Sequence, residues 1–313
     1  MDMITIDNLT RKFGSLTAVD SVSFKVQQGE IVGLLGLNGA GKTTTMRMMS
    51  GALGPCGGSV VICGDNISID PDRVKRNVGY LPEQPPLYKN MRVGEFLRFA
   101  ATIKGVDGTK QAATSAMERT GLTDVAGRVI ETLSKGYRQR VGIAQALIHN
   151  PKVLILDEPA SGLDPAGRAE IRILIEKIAN DNRAVILSTH LLWEVEEICD
   201  RVLILHDGKL VAKQDMSALG VTRVAVDAGS DGLSSDKMAE IESLLLPLNH
   251  GVTPKCSTGG VVDLAPDVNR SELATLLAPY GLLEIRNVNL LQERFSEVTG
   301  ANFGDKESER GVE

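Results

Sequence analysis

The chain has 313 residues, of which 42% are hydrophobic and 24% are charged, and its formal net charge is −6. This composition is typical of a globular protein, and the length is sufficient for one large domain or two smaller ones. The acidic balance argues against a nucleic-acid partner, and the apolar runs are too short to span a membrane.

The first part of the chain predicts strands followed by a glycine-rich turn and a helix. The start, MDMITIDN, lacks the apolar segment of a secretory signal, so we expect a cytoplasmic chain. Residues 1–30 alternate apolar and polar positions and predict antiparallel strands. The continuous apolar run EIVGLLG (30–36) predicts a buried parallel strand, and KTTTMRMMSG (42–51) predicts a helix that ends at Gly51.

The middle of the chain changes from helical to alternating patterns. Residues from about 85 to 150 have mainly helical spacing and predict a helical subdomain. Strand patterns return at KVLIL (152–156), RAVILST (183–189) and RVLILHDG (201–208), with a helix pattern between the first two. This alternation predicts an α/β fold with a mainly parallel sheet covered by helices.

A second pattern begins at about residue 220. Strand and helix patterns alternate from TRVAVDAG to LLQERFSEVTG, which predicts a small α+β domain over residues 220–301. The last residues, 302–313, are charged and are expected to be disordered.

The turn between the first parallel strand and its helix carries a phosphate-binding motif. The string GLNGAGKT fits G-x-x-x-x-G-K-[ST], in which glycines let backbone N–H groups converge on phosphates. Lys42 would reach the β and γ phosphates, and the Thr43 hydroxyl would bind Mg²⁺. A glycine-rich turn that matches by chance is the alternative. The predicted ATP-binding residues here are Gly36, Leu37, Asn38, Gly39, Ala40, Gly41, Lys42, Thr43 and Thr44.

Acidic and basic side chains follow two later strands. Asp157 and Glu158 come directly after KVLIL, and ligands of open parallel sheets bind beyond the carboxyl ends of the strands. We expect Asp157 to hold Mg²⁺ and Glu158 to deprotonate the attacking water. His190 follows RAVILST and is expected to contact the γ-phosphate. The alternatives are a polar strand exit for the acids and a structural role for the histidine.

Four strings in order, GLNGAGKTT, LSKGYRQRVGIAQAL, LILDEPASGLDP and LSTH, resemble the nucleotide-binding subunit of ABC transporters. The resemblance covers about residues 1–217 and is strongest to the exporter branch, which includes multidrug, gliding-motility and copper- or cytochrome-maturation transporters. It implies a P-loop NTPase core with an antiparallel β subdomain and the helical subdomain. The segment after residue 220 is similar to the accessory domain of many exporter-branch subunits.

The resemblance also implies roles for four further residues. Phe13 would stack on adenine, although a core phenylalanine is the alternative. Ser134 and Gly136 would contact the γ-phosphate held by a partner subunit. Asp164 would lie in the loop that joins the two subunits' sites.

Two departures from the family pattern are visible. Lys135 and Tyr137 replace a glycine and the glutamine of the usual LSGGQ string. In LPEQPP, the position of a family glutamine that senses Mg²⁺ and water is occupied by Glu83, with Gln84 next to it. Either side chain could serve at the metal, or the loop could have no ligand role.

The resemblance therefore implies an ATPase that uses ATP and Mg²⁺ and powers a membrane exporter. The expected partners are an integral-membrane permease and a second ATP-binding subunit, with a homodimer favoured. The chain would then sit on the inner face of the cell membrane through the permease. The alternative is a soluble ABC-type ATPase acting on the ribosome or nucleic acid, which an acidic chain with a single cassette does not favour.

Overall fold

The structure is a computed structural model of the chain, and it describes residues 1–229, 232–249, 254–266 and 268–300. The predicted tail, 302–313, lies outside the described residues. The chain divides into two compact units, Met1–Gln214 and Asp215–Glu313. None of the helices in the described ranges is long and apolar enough to cross a membrane.

The first unit combines two sheets with helices. Its strands are β1 (Asp2–Phe13), β2 (Leu16–Gln27), β3 (Ile31–Leu35), β4 (Gly57–Ile62), β5 (Asp65–Asn66), β6 (Val78–Leu81), β7 (Val153–Asp157), β8 (Ala184–Thr189), β9 (Arg201–His206) and β10 (Lys209–Asp215). Its helices are α1 (Lys42–Met49), α2 (Pro71–Asn77), α3 (Val93–Ile103), α4 (Thr109–Thr120), α5 (Lys135–Leu147), α6 (Pro165–Ala179) and α7 (Leu192–Ile198).

The larger sheet has the strand order β10-β9-β3-β8-β7-β6. The pairs β9–β3, β3–β8, β8–β7 and β7–β6 are parallel, as the apolar runs predict. Strands β3, β7 and β8 are buried at every residue, because helices cover both faces of such a sheet. Leu35 is opposite Thr189, and Asp157 is opposite Ser188, so these strands end at one edge. This edge brings the segments that follow β3, β7 and β8 together.

The smaller sheet, β2-β1-β4-β5, confirms the antiparallel strands predicted for residues 1–30. Its apolar face forms one core with the larger sheet and with α1. That core contains Ile4 and Phe24 from the smaller sheet, Val32 from β3, and Met46 and Met49 from α1. The helix that follows the glycine-rich turn is therefore held by apolar packing on both sheets.

The helical segment has an apolar core of its own. Helices α3, α4 and α5 pack around Phe96, Leu97, Ala113 and Val141. Strand β6 precedes this segment. The sequence does not predict it, because the four residues VGYL are too few to show the alternation of apolar and polar positions that is typical of a strand. Because β6 pairs with β7, it connects the loop LPEQPP to the edge where the parallel strands end.

The second unit alternates strands and helices in the predicted order. Its elements are β11 (Gly220–Val226), α8 (Ser235–Leu245), β12 (Val261–Leu264), α9 (Arg270–Leu277), β13 (Leu282–Asn289) and α10 (Leu291–Thr299). The strands form an antiparallel sheet in the order β12-β11-β13. Val224, Ile241, Val262 and Leu273 belong to its separate apolar core.

Candidate functional site

The loop between β3 and α1 requires glycine at two positions for steric reasons. A Cβ atom on Gly36 would lie 2.5 Å from the carbonyl oxygen of Leu205, and one on Gly41 would lie 2.6 Å from that of Ala18. Gly41 also has a φ of +100°, in the left-handed region that favours glycine. The loop is therefore packed closely against neighbouring backbone, and α1 begins with its first N–H groups at the loop's open side.

Lys42, the first residue of α1, is buried and turns back into the loop. Its Nζ donates to the carbonyl oxygens of Gly36 at 2.7 Å and Leu37 at 3.3 Å. It also lies 3.7 Å from Oε1 of Glu158. Burial lowers the pKa of Lys42, and the nearby carboxylates of Glu158 and Asp157 oppose that effect. A cation is thus available inside the loop, bound only to carbonyls and a carboxylate.

Asp157 ends β7 and is completely buried. Its Oδ1 accepts hydrogen bonds from the hydroxyls of Ser188 at 2.6 Å and Thr43 at 3.2 Å. Its Oδ2 is buried and has no hydrogen-bond partner in the described part of the chain. An unpaired buried carboxylate oxygen is costly, so this atom is suited to a cation. The described residues contain no cluster of three or more His, Cys, Asp or Glu side chains that could hold a metal. A metal here would therefore take its other ligands from Thr43, phosphate and water, as Mg²⁺ does.

Glu158 has an unusual backbone for a residue other than glycine. Its φ is +50°, which costs about 1 kcal/mol and is typical of functional sites. The Glu158 N–H donates to Oγ of Ser188 at 2.9 Å, which helps to hold this conformation. The carboxylate then lies between Lys42 and His190, whose Nδ1 is 2.9 Å from Oε2. This hydrogen bond to Glu158 raises the pKa of His190.

Lys42, Glu158 and His190 line one cavity of about 280 Å³ at the edge where the parallel strands end, and the buried Asp157 is not among its lining residues. Its walls are formed by Ala18, Asn38, Gly39, Ala40, Gly41, Lys42, Thr43, Thr44, Glu83, Glu158, Ser161 and His190. The structure thus brings the predicted phosphate loop, the predicted base and the predicted histidine to one place. Both candidates in LPEQPP are exposed, but Glu83 lines the cavity and Gln84 is not among its lining residues.

The remaining predicted residues do not line this cavity. Phe13 is 46% exposed, and the Arg11 guanidinium lies 4.8 Å from the centre of its ring. Ser134 caps α5 by accepting from the N–H of Tyr137 at 3.3 Å, and Gly136 lies in the first turn. Asp164 caps α6 in the same manner.

Three residues of the site are not predicted by the sequence. Ala18 and Ser161 line the cavity, and Ser188 holds both Asp157 and the backbone of Glu158. A signal for Ser188 was present, because it lies in the string LSTH at the end of a parallel strand. Its contact with Asp157 depends on strand register, which the string does not contain.

Comparison with known proteins identifies relatives over the first unit. Residues 19–161 match the family described as ABC transporter. The chain is 44% identical over 216 residues to an uncharacterized ABC transporter ATP-binding protein, YhcH of Bacillus subtilis (strain 168), with 68% of this chain and 70% of that protein covered. It is 41% identical over 210 residues to the bacitracin transport ATP-binding protein BcrA of Bacillus licheniformis, with 67% and 68% covered.

A solved structure has the same fold over a similar range. It is the dimeric post-hydrolysis state of the ATP-binding cassette MJ0796 bound to ADP and Pi, with a TM-score of 0.62 and 25% identity. The likeness covers 68% of this chain and 99% of that one.

We expect Ser188→Ala to destabilise the first unit, because it removes the donor to the buried Asp157 and an acceptor of the Glu158 N–H. The free energy of unfolding should fall by about 1–3 kcal/mol, as measured by urea denaturation. Ser161→Ala is the matched control, since Ser161 lines the same cavity without a hydrogen bond of its hydroxyl in the described residues. Equal stability of the two variants would contradict the role of Ser188.

Proposed function

This chain belongs to the ABC transporter family, and we propose that it is the ATP-binding and ATP-hydrolysing subunit that powers a membrane exporter. The observation that carries the proposal is the arrangement of Lys42, Glu158 and His190 in one cavity, each within hydrogen-bond or ion-pair distance of the next. Hydrolysis of a triphosphate requires a cation at the phosphates and a residue that positions or deprotonates the attacking water, and Lys42 and Glu158 fit these two roles.

The loop before α1 would hold the β and γ phosphates of ATP. Its N–H groups and the N-terminus of α1 provide donors and positive potential. Lys42 now donates to two neutral carbonyl oxygens, and phosphate oxygens would replace them with stronger charge-assisted bonds. Phe13 would stack on the adenine ring, with its exposed face available for the contact.

Glu158 would act as the general base. A water molecule attacks the γ-phosphorus, the bond from that phosphorus to the β–γ bridging oxygen breaks, and Glu158 accepts the proton of the water. The products are ADP and phosphate. His190 holds the Glu158 carboxylate through Nδ1–H. In the protonated imidazolium form, which its raised pKa favours, Nε2–H would also donate to the γ-phosphate and keep the water in line.

Mg²⁺ would be held by Asp157 and Thr43, in agreement with the unpaired Oδ2 of Asp157. When bound, the ion neutralises charge on the phosphates. Glu83 is the better candidate than Gln84 for the position near the metal and the water, because its side chain lines the cavity.

A second copy of the chain would complete each site. Ser134 caps α5, Gly136 lies in its first turn and Asp164 caps α6, and none of the three lines its own chain's cavity. In a homodimer Ser134 and Gly136 would face the γ-phosphate bound by the partner, and Asp164 would lie in the loop that joins the two sites. The similar cassette MJ0796 is a dimer bound to ADP and Pi, which supports the arrangement.

The permease would bind the helical segment. Tyr88 follows the loop LPEQPP and lies edge-on against the rings of Phe96 and Phe99 on α3. Tyr88, Phe99 and Ile103 are 55%, 38% and 67% exposed, and exposed apolar clusters of this kind mark interaction sites. This contact would place the chain on the cytoplasmic face of the membrane, and the relative BcrA, named for bacitracin transport, supports export.

Glu158→Gln should retain ATP binding and slow turnover by roughly 10²–10⁴, because an amide cannot accept the proton of the water. Nucleotide affinity and single-turnover hydrolysis measure the two effects separately. Lys42→Ala is the comparison, since it should lose binding as well. A Glu158→Gln chain that hydrolyses ATP at the parent rate would remove Glu158 from its role.

The shared-site arrangement can be tested by mixing two inactive variants. Lys42→Ala and Ser134→Ala should each be inactive alone, and an equimolar mixture should regain up to about a quarter of the parent ATPase rate, because half of the random dimers contain one intact site of two. A mixture of Lys42→Ala with the double variant Lys42→Ala, Ser134→Ala should stay inactive. If the mixture of Lys42→Ala and Ser134→Ala regained no ATPase activity, the result would argue against sites built from two chains.

The permease contact predicts a variant that hydrolyses ATP without binding membranes. Tyr88→Glu with Phe99→Glu places charge in the aromatic cluster, so the chain should no longer bind washed membrane vesicles from the cells that make it. The ATPase rate of the purified chain should change less than about twofold, since neither residue lines the cavity. Ile173→Glu, at a side chain that is 44% exposed on α6, is the control. If the Tyr88→Glu, Phe99→Glu chain bound the vesicles as well as the Ile173→Glu chain, the proposed docking site would be wrong.

A further inference from the structure

We propose that Arg168 is a positioning residue that makes the orientation of His190 depend on the loop 161–164. This inference rests on the proposed function, in which His190 holds Glu158 and Asp164 belongs to the contact between subunits. Arg168 lies on the first turns of α6, directly after that loop, and its side chain reaches α7, the helix that follows His190.

The first step is a contact between Arg168 and the loop. Its Nε donates to the carbonyl oxygen of Leu163 at 2.8 Å. Leu163 is 6% exposed, and it precedes Asp164, the residue expected at the subunit contact. The guanidinium is planar, so fixing Nε also fixes the plane of the whole group. The orientation of the Arg168 side chain therefore follows the position of the Leu163 carbonyl.

The second step is a contact between Arg168 and α7. The guanidinium lies 5.3 Å from the centre of the Trp193 ring, within the range of a cation–π interaction. Trp193 is the second residue of α7, three positions after His190. Tryptophan provides the strongest ring face for this interaction, so the start of α7 is held to α6 at this point.

The third step connects the start of α7 to the turn that carries His190. Glu194, next to Trp193, is 9% exposed, and it accepts a hydrogen bond from the hydroxyl of Thr189. The same hydroxyl accepts from the N–H of Leu191 at 3.0 Å. The residues on both sides of His190 are thus held by one hydroxyl, which is itself held by α7. A shift of α7 would move the His190 ring relative to Oε2 of Glu158.

Little free space separates these groups. Arg168, Trp193 and Glu194 line a cavity of about 30 Å³, which is room for about one or two water molecules. One oxygen of Glu194, Oε1, is buried without a hydrogen-bond partner among the described residues. A displacement of Arg168 would therefore act on Trp193, its partner in the cation–π contact, and on Glu194, which lines the same cavity.

A neighbouring arginine offers a matched control. Arg172, one turn later on α6, also joins the two helices, since it pairs with Glu197 on α7. It lines the same small cavity. Arg172 forms ion pairs with Glu176 and Glu197, and neither residue adjoins the loop or His190. If any contact between α6 and α7 were sufficient, substitution of Arg168 or of Arg172 would have the same effect. The proposed connection depends on Arg168 alone.

The experiment compares Arg168→Ala, Arg172→Ala, Trp193→Ala and Trp193→Phe in the full chain. Arg168→Ala and Trp193→Ala should lower kcat for ATP hydrolysis by about 10- to 100-fold, with the affinity for ATP changed less than about twofold, because the histidine is misplaced and the phosphate loop is untouched. Arg172→Ala should retain the parent kcat, and Trp193→Phe should restore most of the rate, since it keeps an aromatic face.

A second measurement distinguishes positioning from loss of structure. The pKa of His190, followed by NMR and assigned with His190→Gln, should move down towards its ordinary value of 6.5 in Arg168→Ala, because the raised pKa depends mainly on the hydrogen bond to Glu158. It should stay at the parent value in Arg172→Ala.

The outcomes separate this inference from the proposed function. An Arg168→Ala chain with the parent kcat, beside an inactive Glu158→Gln chain, would overturn the inference alone. Equal losses in Arg168→Ala and Arg172→Ala would also overturn it. Full activity of Glu158→Gln would overturn the proposed function, and the inference with it.

Discussion

The hydrogen bond from Ser188 to Asp157, between the paired ends of β8 and β7, is the contact on which the site depends. The same serine accepts the N–H of Glu158 and so helps to hold that residue in a left-handed conformation. In this conformation the Glu158 carboxylate lies between Lys42 and His190. One hydroxyl in a buried sheet therefore orients both acids, and the surrounding core supplies the energy that offsets the strained backbone.

The electrostatics of the cavity follow from burial. Lys42 and Asp157 are both removed from water. Lys42 donates to carbonyl oxygens and lies 3.7 Å from Glu158, whereas Asp157 keeps one oxygen without a partner among the described residues. A phosphate with its cation would satisfy both groups at once. Without a ligand, the protein therefore keeps a buried carboxylate oxygen unpaired. Pairing it would contribute to the free energy of nucleotide and Mg²⁺ binding.

The proposed connection through Arg168 adds a reason why hydrolysis would wait for a second subunit. The loop 161–164 belongs to the expected subunit contact, and Arg168 joins it to the helix that holds the turn of His190. Contact of this loop with a second subunit would then shift the position of His190, even though no new contact forms at the phosphate. Trp193 makes this possible, since its aromatic face holds the Arg168 guanidinium against α7.

The sequence by itself determined the order of elements and the groups that meet a phosphate, because both are encoded locally. The strand before GLNGAGKT, the acids after KVLIL and the histidine after RAVILST need only a short window to be recognised. Tertiary structure decided the rest: Glu83 rather than Gln84 at the cavity, Ser188 opposite Asp157, and Arg168 against Trp193. These depend on strand register and helix packing, which join residues that lie far apart in the chain and leave no mark in any single segment.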